Sequence, residues 1–182
     1  MHHPTLKPQD LLVACRLLLA GGADLTQRQV ASALHLSLST VHSSLKNLRR
    51  AELARGSGPY VVDGPRFLDF LVHAVPVLYL PERTGLVRGL PTGIFSPLFR
   101  DRFTRPGDVP TVWPYSRGRE VGEGLAPLYQ SVPLACSRDP ALYQLVAAVD
   151  ALRVGRVRER EAAFTYLRGI AGVGDGERGV AA

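Results

Sequence analysis

Cysteine, lysine and long apolar runs are all scarce in this chain. Cys15 and Cys136 are the only two cysteines, far apart and without metal-ligand spacing, so neither a disulfide framework nor a zinc site is expected. Cys15 lies in an apolar helical run and reads as a small core residue. Such sparse cysteine usage fits a reducing, cytoplasmic setting. The longest apolar candidate, residues 72–80, is interrupted by His73 and Pro76. It falls short of the roughly 20 residues that span a bilayer, so no membrane association is expected. The start, Met1-His2-His3-Pro4, lacks the charged-then-apolar pattern of a secretory signal.

Catalytic constellations are missing as well. There is no phosphate-cradling loop, no paired metal histidines and no nucleophile elbow. Of the five histidines, His2 and His3 are terminal, His35 and His42 lie in a helical segment described below, and His73 sits in an otherwise apolar helix. A lone histidine there reads as a satisfied core residue. Glu120 and Glu123 border glycines in what reads as a loop, an insecure platform for acid–base work. The expectation is a protein that is not an enzyme and needs no metal or cofactor.

What the chain has in quantity is arginine. Lys7 and Lys46 are the only lysines among 22 basic residues. A GC-rich genome would give the same bias, but the pI near 9.8 favours an anionic partner such as nucleic acid. The charge is uneven. Residues 1–62 carry seven basic and three acidic side chains, and residues 63–182 carry fifteen and thirteen. The 182 residues suffice for one generous domain or two small ones.

Pro8 and Asp10 suit the first turn of a helix, followed at helical spacing by Leu11, Leu12, Ala14, Cys15, Leu18 and Leu19. Gly21-Gly22 ends it. Thr26 is an N-cap for a second helix, about 27–33. After a turn at Leu34, His35 and Leu36, Ser37 caps a third helix reaching about residue 51. Its apolar stripe is Leu38, Val41, Leu45 and Leu48. Two short runs around Gly56-Ser57-Gly58 then read as a hairpin. Small Ala31 fits a steep helix crossing, and Val30, Leu34, Leu36, Val41 and Leu45 would fix its angle. The opposite face offers Ser37, Ser39, Thr40, His42, Ser43 and Lys46, all suited to base edges or phosphates. Arg49, Arg50 and Arg55 follow at the helix end and hairpin. Gln27 and Arg28, at the start of the second helix, would meet backbone phosphates.

The run from Thr26 to Arg55, within a stretch of about residues 7–62, resembles the winged helix-turn-helix of bacterial regulators, including the MarR class. That resemblance implies a helix laid in the major groove of duplex DNA, with the wing beside it. It also implies a homodimer, since one such head reads only a half-site.

Further along, Asp63-Gly64-Pro65 opens a connecting helix over residues 63–80 that Pro76 should kink or end. Residues 81–137 hold eight of the 14 prolines and glycines at 85, 89, 93, 107, 118, 122 and 124, so regular elements should be short. Large apolar residues are scattered through them, among them Trp113, Tyr115, Leu128 and Tyr129. The segment therefore reads as ordered and loop-rich, packed on this chain or on a partner. Asp139-Pro140 starts a closing helix with Leu142, Leu145, Val146, Val149, Leu152, Phe164 and Leu167 on its buried side, interrupted at most by Gly155. Arg153, Arg156 and Arg160 fall three and four apart on one face. They read either as a solvated face paired with Asp150, Glu159 and Glu161, or as a patch for an acidic partner protein or DNA backbone. The chain should fray from Gly169 into a flexible tail at 172–182. Arg88-Gly-Leu-Pro-Thr and the stretch 150–160 resemble the C-terminal half of uncharacterised bacterial winged-helix proteins, some similar to antitoxin-like members of two-component operons.

The expected fold is mainly α with a small β-wing: a winged helix-turn-helix at 1–62, the connecting helix, and a loop-rich region at 81–171 closed by a helix. The expected function is sequence-specific binding of double-stranded DNA as a transcriptional repressor. The alternative is an antitoxin-like module that binds and neutralises a partner protein.

Overall fold

A computed structural model describes residues 5–173. Helix α1 (Pro8–Leu19) begins with proline in its first turn and stops before Gly21 and Gly22, both in the left-handed region. Leu11 through Cys15 and Leu17 are all buried, so this helix is apolar on every side. Such a helix must be covered all round. It packs against α2 (Gln27–Leu34) and α3 (Leu38–Arg50) and also against α8 (Pro140–Val154) of the C-terminal region. The buried apolar residues of both halves form one continuous cluster.

Strands β1 (Ala54–Arg55) and β2 (Val61–Val62) pair antiparallel after α3 and make the wing. Helix α4 (Gly64–Asp69) follows, capped by the Asp63 carboxylate on the Arg66 N–H. Pro76 does not stop the helical segment at once. A π-turn over Phe70–Ala74 leads directly into α5 (Val75–Leu78). The proline has no N–H to return to the preceding turn, and widening the helix there is one way to accommodate that loss. His73, expected in the core, is exposed on this segment.

The proline- and glycine-rich middle is more regular than its composition suggests. Strand β3 (Arg83–Pro91) is nine residues long. It pairs antiparallel with both β4 (Thr111–Pro114) and β5 (Glu120–Leu125), which pair parallel with each other. Glu120 and Glu123 therefore lie on a strand, not in a loop. The glycines are the reason such a small closed sheet exists. A Cβ on Gly118 would sit 2.1 Å from the Gly89 carbonyl oxygen, and one on Gly89 would sit 2.2 Å from that of Trp113. These residues permit backbone to touch backbone. A short 3-10 turn (Gly93–Phe95) and α6 (Arg100–Phe103) lie between β3 and β4, and α7 (Val132–Cys136) precedes α8.

The closing helix is two helices. Helix α8 ends at Val154, Gly155 is extended, and α9 (Val157–Ile170) starts afresh with Arg156 as its N-cap. Helical phase counted across such a break is lost. Phe164, placed by that count on the buried side, is 38% exposed. The chain is still helical at Gly169, where fraying was expected to begin, since α9 continues through Ile170. Of the expected flexible tail at 172–182, residues 174–182 lie outside the described residues.

A polar group sits inside this core. The buried Asp150 carboxylate accepts from the Trp113 indole N–H at 2.6 Å, from the Thr92 hydroxyl at 2.9 Å and from Arg153 at 2.6 Å. Burial raises the Asp150 pKa, while Arg153 and the other donors pull it back down. Arg153 also donates to the carbonyls of Tyr79 at 2.9 Å and Leu80 at 3.3 Å. One ion pair thus ties α8 to the sheet and to the end of α5. The Trp113 ring is wholly buried, so it is a core residue. The Cys15 thiol is pushed up to about 12 by burial, and that of Cys136 is raised by the same cause, which suits inert packing residues.

Candidate nucleic-acid interface

The local sequence sets the helix-turn-helix. Thr26 caps α2 and accepts from the Gln29 N–H at 3.2 Å, while the Gln29 side chain accepts from the Thr26 N–H at 2.8 Å. Helix α2 ends at His35, whose φ is +52°. Ser37 then caps α3 by accepting from the Thr40 N–H at 3.0 Å. Ala31 is buried beside Val30 and Leu34, where α2 meets its neighbours.

Helix α3 buries Val41, Leu45 and Leu48 as its spacing predicts, but not Leu38, which is 47% exposed. Ser44 takes the fourth buried place. At 100° per residue, Leu38 lies roughly 70° from the centre of the arc formed by Val41, Ser44, Leu45 and Leu48. It is a rim position, and the opposite rim went inside.

The outward arc carries Ser39, His42, Ser43, Lys46, Arg49 and Arg50, all exposed. Helical geometry collects them within roughly 120° of one another. Between this arc and the wing runs a cleft of about 600 Å³, lined by His42, Leu45, Lys46, Arg49, Arg50 and Tyr60. None of Arg28, Lys46, Arg49 and Arg50 forms an ion pair among the described residues. Their charge is not neutralised by any described acid.

The other sequence-predicted residues are placed less freely. Ser37 shares its hydroxyl with those of Ser39 at 2.9 Å and Thr40 at 2.8 Å. Thr40 is half-buried. Gln27 is half-buried too and donates to the Tyr60 hydroxyl at 2.9 Å, which fastens α2 to the wing. Arg28 is exposed. Arg55 lies 3.5 Å from the Asp63 carboxylate at the base of the wing with most of its side chain in solvent.

The arginine trio at the other end does not share a face. Arg153 is only 6% exposed and is consumed by Asp150, so it cannot meet a partner. Arg156 precedes α9 and is exposed. Arg160 turns back to donate to the Gly155 carbonyl at 2.8 Å. The break at Gly155 separates Arg153 from the other two.

Two supports of the site carry no signal in the sequence. Asp10 is buried, and its carboxylate accepts from the Lys7 N–H at 2.9 Å and the Asn47 side chain at 3.0 Å. Asn47 thereby locks α3 onto the start of α1. Tyr60 closes the cleft from the wing side. Both contacts join residues more than thirty positions apart, beyond the reach of local pattern.

Helix α2, the turn, the polar outward arc of α3 and the paired strands behind it form one recognisable unit. Residues 17–55 match the family described as winged helix-turn-helix DNA-binding. The match runs from the last turn of α1 through β1 and covers about a fifth of the chain. No curated protein and no solved structure matches the chain. Among the described residues, no helix is long and apolar enough to cross a membrane.

Proposed function

We propose that the protein is a cytoplasmic transcriptional regulator whose MarR-like winged helix reads specific sites in double-stranded DNA, with repression as its mode. One observation carries this reading. The outward arc of α3 is polar and basic, open to solvent and free of acid partners among the described residues, while its underside is clamped by Val41, Leu45, Leu48 and the Asn47–Asp10 bond. A rigid helix presenting hydroxyl, imidazole and cationic groups suits entry into a major groove. Serine and histidine meet base edges, and Lys46, Arg49, Arg50 and Arg28 meet phosphates. Arg55 serves the same end from the wing, and Gln27 positions the wing more than it contacts DNA. Repression follows from covering a promoter. The core joins the head to the rest of the described chain.

A second copy fits this reading, because a two-fold site needs two heads. The sheet offers a mixed surface for it. Leu86 and Val121 are 71% and 54% exposed, and the β3–β5 register sets them diagonally on one face, with Arg88 and Glu123 on the other diagonal. The same strip favours the alternative, a module that captures a partner protein. Co-purification separates the two readings: a stoichiometric partner that survives nuclease and high salt supports the alternative.

The test is selection of bound duplexes from a random pool, followed by titration over a range of salt. Affinity should fall steeply as salt rises, because each neutralised phosphate releases counterion. Ser39→Ala and His42→Ala should change the selected sequence. The reading is sunk if no duplex is enriched and binding is insensitive to salt.

A further inference from the structure

A second cluster of unpaired cations lies far from the winged helix. A cleft of about 900 Å³ opens between α6 and the start of α9, lined by Arg102, Phe103, Arg105, Arg156, Val157 and Arg158, with Glu159 and Glu161 beside them. It adjoins a second cleft of about 560 Å³ that shares Phe103, Arg105, Arg156 and Glu159. All four arginines are exposed, and none forms an ion pair among the described residues. The nearest acids do not neutralise them. Glu159 instead accepts from the Arg156 backbone N–H at 2.7 Å. Four arginines face two glutamates here, and Asp108 of the adjoining cleft accepts from the Arg105 backbone N–H at 2.8 Å, so the cations outnumber the acids. The walls are partly apolar. Val157 is 72% exposed, and Phe103 carries the Arg102 guanidinium 5.0 Å from its ring centroid.

We propose that this cleft binds a small phosphorylated molecule with an apolar or aromatic body. Guanidinium forks match phosphate oxygens, and the excess of cations favours an anionic group. Phe103 and Val157 supply a surface for the rest of the ligand. The volume lies within the range of about 300–1,000 Å³ usual for small-molecule sites. A nucleic-acid backbone fits less well. The carboxylates at the rim interrupt any continuous track for a polyanion. The place is also wrong: Ala171, just past the far end of α9, abuts Gly64, next to the wing. The helix itself separates that end from the cleft by about 21 Å. The proposal does not depend on the winged helix reading DNA.

Phenyl phosphate titrated calorimetrically into the full chain is the test, with inorganic phosphate and phenol as comparisons. One saturable site is expected for phenyl phosphate, weaker binding for inorganic phosphate and none for phenol. Affinity should decline as the pH falls through about 6, where the dianion takes up a proton. Arg105→Gln and Arg156→Gln should each weaken binding about tenfold or more while leaving duplex binding unchanged. Chemical-shift changes in the wild-type chain should centre on the Thr104 and Val157 amides, which locates the site even if a variant fails to fold. Absence of saturable binding, binding unaltered in both variants, shift changes centred elsewhere, or displacement of phenyl phosphate by duplex DNA would overturn the proposal.

Discussion

Arg49 on α3 and Arg153 on α8 carry the same guanidinium into opposite settings. On α3 the cations stand in water without acid partners among the described residues, and the acid beside that helix, Asp10, is occupied with Lys7 and Asn47. In the C-terminal region Arg153 is buried, paired with Asp150 and bonded to two carbonyls. Counting arginines therefore says little about an anionic partner. What matters is which charges the fold has already neutralised. The distinction holds inside the C-terminal region as well, where Arg153 braces the core while Arg156, three residues on, remains open.

The sharpest way to break this contrast is to remove each kind of arginine and measure both stability and DNA affinity. Arg153→Ala should cost about 3–5 kcal/mol of stability in denaturant unfolding, since it strands the buried Asp150 charge. An unchanged midpoint would show that the pair does not brace the core. Gly118→Ala should cost on the order of 1–3 kcal/mol, the scale of overpacking, because a methyl group there meets the Gly89 backbone. Its effect on duplex affinity should be small. The double variant Lys46→Ala, Arg49→Ala should leave the unfolding midpoint within about 0.5 kcal/mol, as exposed positions usually do. It should weaken binding to all duplexes and lower the salt dependence by about two phosphate contacts. Loss of stability without loss of affinity in that variant would invert the comparison.

The N-terminal third was legible because its information is local. Thr26 and Ser37 announce helix starts, Gly21 and Gly22 announce an end, and the stripe of Val41, Leu45 and Leu48 gives the buried side of α3. Even there the pattern erred at its edge, taking Leu38 inside in place of Ser44. The exposed residues of the site, from Ser39 to Arg50, could be named from the same stripe by exclusion. Gln27–Tyr60 and Asp10–Asn47 could not, since only the folded chain brings them together. The sheet was hidden for another reason. Gly89, Gly118, Gly122 and Gly124 read as breaks, yet they lie in or beside strands packed too tightly for a Cβ. Arg153 was misplaced because Gly155 resets the helical phase and because burial of a charge leaves no mark on spacing.

The all-round burial of α1 limits how this molecule can be cut. A fragment stopped after the wing would lay bare the flank of α1 that α8 covers, an oily strip of leucine, valine and alanine facing water. Such a piece would clump or scavenge a substitute for the missing helix. The winged helix is thus not a portable cassette, and its DNA binding should be studied, fused or transplanted only with the rest of the chain attached.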